Sequence, residues 1–288
     1  MSLKNFVGEW VSAPWFQQTV SRGSTFLRGK LVGSKPSVPP FSDSEPTKLN
    51  PSGRNPASLE QLLTTSFGRI VWVEADKIAL WGRALTWEQN QHVRYFKDGI
   101  DSYRRFFELH QPRNQFEFLM LDQNRVGEFS LPRPPEHRRP WSLEVDDGGA
   151  GLPDDVFANL GHGPISEQKL LSEAKRLRSI RESVERDGFR KLDDDFITFG
   201  EIIVNDDRSV GEDYRVLLVN GVHRTSVLAH LGWPLIPMMA REIPLREVRL
   251  SALARWPGVL DGTFSEEAAL TYFLAHFRDP TEELLPGW

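Results

Sequence analysis

The chain has 288 residues, 39% of them hydrophobic and 26% charged, with a formal net charge of -5. That length suits one large or two small domains, and the mild acidity gives no global field to draw nucleic acid or an anionic membrane. With no cysteine, disulfides, thiolate metal sites and thiol nucleophiles are excluded, which fits a reducing compartment.

The opening residues are interrupted by Gly8, Glu9 and Pro14 and lack the apolar core of a signal peptide. No run approaches the roughly 20 apolar residues of a membrane span, so the sequence reads as soluble and cytoplasmic. From Gly33 to Ser58, Pro, Ser and Gly are dense, and residues 1–58 are expected to be irregular. Residues 59–150 read as an N-terminal α/β region. In it, Ile70 to Val73 and Ile78 to Trp81 suggest a hairpin, and YFKDGIDSYRRFFELHQP suggests a helix capped by Asp98, with Ile100, Tyr103 and Phe107 on one face and Pro112 as its stop.

A Pro, Gly and charge-rich stretch, LPRPPEHRRPWSLEVDDGGAGLPDD, marks a domain boundary near residue 150. Beyond it, Ser166 is a natural N-cap, and Leu170, Ala174, Leu177, Ile180 and Val184 line one helical face before Gly188 ends the helix. Lys175, Arg178, Arg181 and Arg186 form the opposite, solvated face. Two β runs follow, FITFGEIIV and YRVLLV, joined by NDDRSVGED as an antiparallel pair. Glu201 interrupts the first apolar run. It is a candidate catalytic carboxylate, together with Asp206, Asp207, Glu212 and Asp213, although strand alternation alone could turn it to solvent.

The second run enters VNGVHRTSVLAHLGWPLIPM, where a helix begins near His223 or Arg224 and Gly232 closes it. Leu235 to Ala240 then reads as a last strand, made short or placed at an edge by Pro234 and Pro237. A helix N-terminus offers unpaired amides and a partial positive charge. Glycine admits close backbone approach, a guanidinium can hold two phosphate oxygens, and an imidazole can donate a hydrogen bond or move a proton. Asn220, Gly221, Val222, His223, Arg224 and Thr225 are thus a candidate phosphate-binding segment, with His223 also a candidate catalytic group. The spacing is equally compatible with a tight turn at Gly221, a self-capping His223 and an Arg224 paired to a nearby acid. In the tail, Leu245 to Trp256 suggests one helix, and Ser265 caps another with Ala269, Leu270, Phe273 and Phe277 inward. This extension, 246–288, carries Glu266, Glu267, Glu282 and Glu283, which suits covering a sheet better than reading DNA.

Residues 166–240, through SIRESVERDGF and NGVHRTSVLAHLGWPLIPM, resemble the ParB/sulfiredoxin superfamily in the order and spacing of a Gly-x-x-Arg helix followed by an LG…IPV-type strand. More weakly, YFKDGIDSYRRFFELHQP and the GP before Ser166 resemble bacterial proteins of surface-polysaccharide gene neighbourhoods. The resemblance implies an α+β class: a small mixed α/β domain over 151–245, with the phosphates of ATP or CTP at Gly221, Val222, His223 and Arg224 and Mg²⁺ accompanying the nucleotide. Val222 stands where sulfiredoxin has its cysteine and where partition proteins have a magnesium-holding glutamate, so sulfinic acid reduction is excluded and that metal contact is lost. Superfamily kinases that phosphorylate free serine also place histidine before arginine. The resemblance therefore implies a nucleotide-binding protein with NTPase or small-molecule kinase activity. A non-catalytic module binding a partner protein or sugar nucleotide, and a ParB-like DNA-associated protein, are the alternatives.

Overall fold

A computed structural model describes residues 48–66, 68–80, 87, 89–111, 137–142, 145–146, 162–190, 196–207, 212–241 and 246–277. In chain order these give β1 (Lys48–Leu49), α1 (Leu59–Leu63), β2 (Ile70–Glu74), a 3-10 turn, β3 (Ile78–Leu80), α2 (Gln91–Leu109), β4 (His137–Arg138), β5 (Val145–Asp146), α3 (Glu167–Asp187) and β6 (Phe189–Arg190). Then come β7 (Thr198–Asn205), β8 (Asp213–Asn220), α4 (Val222–His230), β9 (Leu235–Ala240), β10 (Arg246–Arg249), a 3-10 segment (Leu250–Arg255), α5 (Pro257–Leu260) and α6 (Glu266–Leu274). The class is α+β, as expected. Among the described residues no helix is long and apolar enough to cross a membrane.

The central sheet runs β2-β9-β7-β8-β3, with β10 following β9 along the same edge of β7. β7 and β8 form the expected antiparallel pair. β2 and β3, expected as a hairpin, instead lie at opposite ends of the strand order: β2 pairs with β9 antiparallel and β3 with β8 in parallel. The short 3-10 turn between them leaves each run to find the apolar edge that buries it. Strands from both sides of the boundary expected near 150 therefore share one sheet.

β9 is an interior strand, which corrects the expected edge position. Pro237 is tolerated because alternate β9 amides face β7, and the first bond to β7 is the Met239 amide on the Ile197 carbonyl at 3.0 Å. Pro237 thus lacks its N–H one step before that ladder begins. Leu245 to Trp256 is also not one helix: β10 and the 3-10 segment occupy its described part, because β7 still offers a free edge at Glu201–Val204.

Helix boundaries follow local chemistry. Ser166 caps α3 through Lys169, and Gly188 ends it at φ 75°. α2 starts earlier than expected: the Asn90 carboxamide accepts the His92 amide, and the residue after Asp98, Gly99, breaks the helix at φ 85°. Asp98 therefore stands at a kink within the helix.

One sheet face packs Phe199, Ile202, Val204, Val216, Leu218, Ile236 and Met238 under Leu228 of α4. Above it, α2 and α3 pack Tyr103, Phe106, Leu170, Ala174 and Leu177 around Val227. The other face packs Ile203, Leu217 and Val248 under Trp141, Trp256, Phe264, Tyr272 and Phe273. The C-terminal extension covers the sheet, with Ala268, Ala269, Tyr272 and Phe273 inward while Leu270 is exposed.

Phe273 is fully buried in that second face. We expect Phe273→Ala to lower stability by about 3 to 5 kcal/mol in urea unfolding with an unchanged slope. A loss below about 1 kcal/mol would mean that α6 is an appendage rather than part of the core.

Candidate functional site

β8 delivers the chain to α4 through Asn220 and Gly221. Gly221 adopts φ 92° and ψ 22°, and a Cβ there would come within 3.0 Å of the Ile197 backbone, so the turn requires glycine. Asn220 accepts the Gly221 amide on its own Oδ1 at 2.8 Å. Thr225 donates both its amide, at 2.9 Å, and its hydroxyl, at 3.0 Å, to the Gly221 carbonyl and is fully buried. Asn220 and Thr225, expected to touch phosphate, thus build the turn, and Val222 packs against the sheet core. Of the six residues, His223 and Arg224 are the ones whose side chains do not build the turn or the sheet core.

His223 reaches α3. His223 Nε2 lies 2.5 Å from Glu173, whose other oxygen accepts Lys169 Nζ at 3.0 Å. Glu173 is 7% exposed. Burial pushes its carboxyl up, but the hydrogen bonds and charges of His223 and Lys169 outweigh that and bring it down to about 2. The carboxylate is therefore ionised at neutral pH and only accepts, so His223 carries a proton on Nε2.

Arg224 is partly buried, and its acidity is raised first by desolvation and then by repulsion from Arg176, one helical turn beyond Glu173 on α3. α3 thus sets a carboxylate against His223 and a guanidinium near Arg224. From α2, the His92 ring lies 4.7 Å from the His223 ring at an interplanar angle of 33°. The Tyr103 hydroxyl is 2.9 Å from His92 Nδ1.

Glu201, the expected catalytic carboxylate, is elsewhere. The register of β7 against β8 shifts between Phe199 and Glu201, placing Glu201 opposite Leu217 on the face away from α4. There it is 6% exposed, ion-paired with Arg139 and with Arg246 at 3.4 Å, and accepts Trp141 Nε1 at 3.0 Å. The other acidic candidates sit at the far end of the β7–β8 pair. Most of β8, at about 3.3 Å per residue, separates them from α4. Asp206 binds Ser251, Glu212 binds Arg249, and Asp213 binds Lys77 and Arg215. These carboxylates hold the fold together and do not join His223.

Glu173, Lys169, Arg176 and His92 complete the site and escaped the sequence reading. Glu173 had a signal: it stands three residues after Leu170 and four before Leu177, on the apolar stripe. His92 had none, since it reaches His223 only through tertiary packing.

The charged groups described around the start of α4 are the basic Lys169, Arg176 and Arg224 and one acid, Glu173, whose oxygens are taken by His223 and Lys169. This donor set does not fit a resident magnesium ion, which takes oxygen ligands. Among the described residues no group of three or more His, Asp or Glu side chains is arranged to hold a metal. No family model, curated protein or solved structure matches the chain.

Because the folded Glu173 titrates below its ordinary value of 4.5, it stabilises the fold above that value, and the contribution disappears as pH falls from 4.5 toward about 2. We expect the unaltered chain to lose about 3 kcal/mol more than Glu173→Gln across that interval, measured by urea unfolding at stepped pH. Parallel pH profiles would contradict the assignment.

Proposed function

We propose that the chain binds the phosphates of a nucleotide, ATP or CTP, at the start of α4. The observation that carries this reading is the glycine-opened start of α4, where no side chain caps the helix and Arg224 stands in its first turn; like charge from Arg176 on α3 adds to the desolvation that lowers the Arg224 pKa. That like charge is offset when an anion binds at the start of α4. The anion also meets the opening amides of a nine-residue helix, whose N-terminus favours negative charge. The resemblance of residues 166–240 to the ParB/sulfiredoxin superfamily supports the same placement.

NTP hydrolysis, or transfer to a small-molecule hydroxyl, is the chemistry such a cradle serves, and His223 is the group beside it able to move a proton. Magnesium, where required, enters chelated by the nucleotide as part of the substrate. The placement of Glu201 behind the sheet removes one carboxylate that would activate an acceptor hydroxyl, which favours the non-catalytic module as the second reading. A DNA-associated role has less support, because α6 opens on Glu266 and Glu267 and presents no basic surface to a phosphate backbone.

Titration calorimetry with ATP and CTP in magnesium tests the reading. A charge-assisted hydrogen bond contributes about 1.5 to 3 kcal/mol, so Arg224→Ala is expected to weaken binding roughly 10- to 100-fold. Arg176→Ala should act in the same direction with a smaller effect. Unchanged affinity in Arg224→Ala would reject the assignment.

A further inference from the structure

The Glu173–His223 pair is arranged for more than holding charge. An ionised carboxylate only accepts, so in its neutral form the imidazole keeps its one proton on Nε2, at 2.5 Å from Glu173. Nδ1 is then the nitrogen with the lone pair. Lys169 holds the second Glu173 oxygen at 3.0 Å, and the buried His92 ring lies against His223 at 4.7 Å. The imidazole is thus fixed on two sides, yet its side chain remains 21% exposed, so it is not sealed from solvent. A nucleophile set by an adjacent oriented acid is the recurring form of covalent catalysis.

We propose that His223 is a phosphoryl acceptor: it forms a phosphohistidine at Nδ1 from the terminal phosphoryl group of a nucleoside triphosphate. The proposal rests on the phosphate-binding reading above. The Nδ1 lone pair attacks the γ-phosphorus, and the bond from that phosphorus to the β,γ-bridging oxygen breaks. The bond's electron pair leaves on the β-phosphate of the departing diphosphate. The ring gains a positive charge, and Glu173 offsets it by accepting the Nε2–H. In the second step an acceptor oxygen, from water or a small-molecule hydroxyl, attacks the phosphorus. The Nδ1–P bond breaks, its electron pair returns to the ring, and the acceptor's proton goes to solvent. Arg224 and Arg176 oppose the negative charge of the phosphoryl oxygens throughout. A carboxylate acceptor is not needed in this scheme, which suits a site whose own acid is engaged with the imidazole.

The full-length chain is incubated in one arm with γ-³²P-ATP or γ-³²P-CTP and magnesium, and in another with phosphoramidate, a small phosphoryl donor that needs no nucleotide site. Acid-labile, base-stable label is then mapped by peptide mass spectrometry. We expect it on His223 in preference to the other histidines of the seven in the chain. We also expect label to vanish in His223→Gln and labelling to slow at least tenfold in Glu173→Gln, beyond any change in nucleotide affinity. Mapping on the unaltered chain keeps the test independent of how the variants fold. Arg224-dependent nucleotide binding without label on His223 overturns the phosphohistidine and leaves the binding reading standing. Phosphoramidate label on His223 without nucleotide binding supports the nucleophile and rejects the nucleotide. Label spread evenly over the histidines, or persisting in His223→Gln, overturns the proposal.

Discussion

A carboxylate placed on the apolar stripe of a helix must find positive charge or lose its own, and Glu173 is such a carboxylate. Between Leu170 and Leu177 it faces inward, where isolation would cost several kcal/mol. Lys169 one turn earlier and His223 across the helix interface meet that demand. The pairing fixes how the start of α4 faces α3, and with it which side chains share the junction. Arg224 directly follows His223 and Arg176 lies one turn beyond Glu173, so like charge from Arg176 reaches Arg224 across the same helix interface.

The sheet beneath enforces a division of labour. Gly200 lies at the irregularity in β7, where a Cβ would approach Val219 to 2.9 Å. The shift re-aims the residues after it, so Glu201 joins Ile203 on the second face while Phe199, Ile202 and Val204 stay on the first. The second face then seals Glu201 among Arg139, Arg246 and Trp141 beneath the C-terminal layer. Charge on that side is structural and buried; charge at the start of α4 remains within reach of solvent.

Legibility in the sequence tracked how local each determinant was. The cap at Ser166, the glycine stop at Gly188 and the antiparallel β7–β8 pair all depend on neighbours within a few residues, and each formed where its pattern placed it. So did the turn at Gly221, whose left-handed backbone is a local demand. What failed was set at long range. The edges that β2 and β3 pair with, the interior position of β9 and the run of β10 beside β7 depend on which strand edges were left to fill. Glu201, a candidate because it interrupts an apolar run, lies on the second face because one irregularity reverses strand alternation. Of the candidate segment, His223 reaches Glu173 on α3, whereas Asn220 and Thr225 make the turn that precedes it.

The account depends on an anion sitting between the opening amides of α4 and the Arg176 and Arg224 guanidinium groups. The most direct measurement is an amide NMR titration of the chain with inorganic triphosphate. The account predicts saturable shifts centred on Val222, His223 and Arg224, with Arg176 following, and little change in the β7–β8 turn. Shifts confined to the Arg139 and Arg246 side of the sheet, with the start of α4 unmoved, would contradict it.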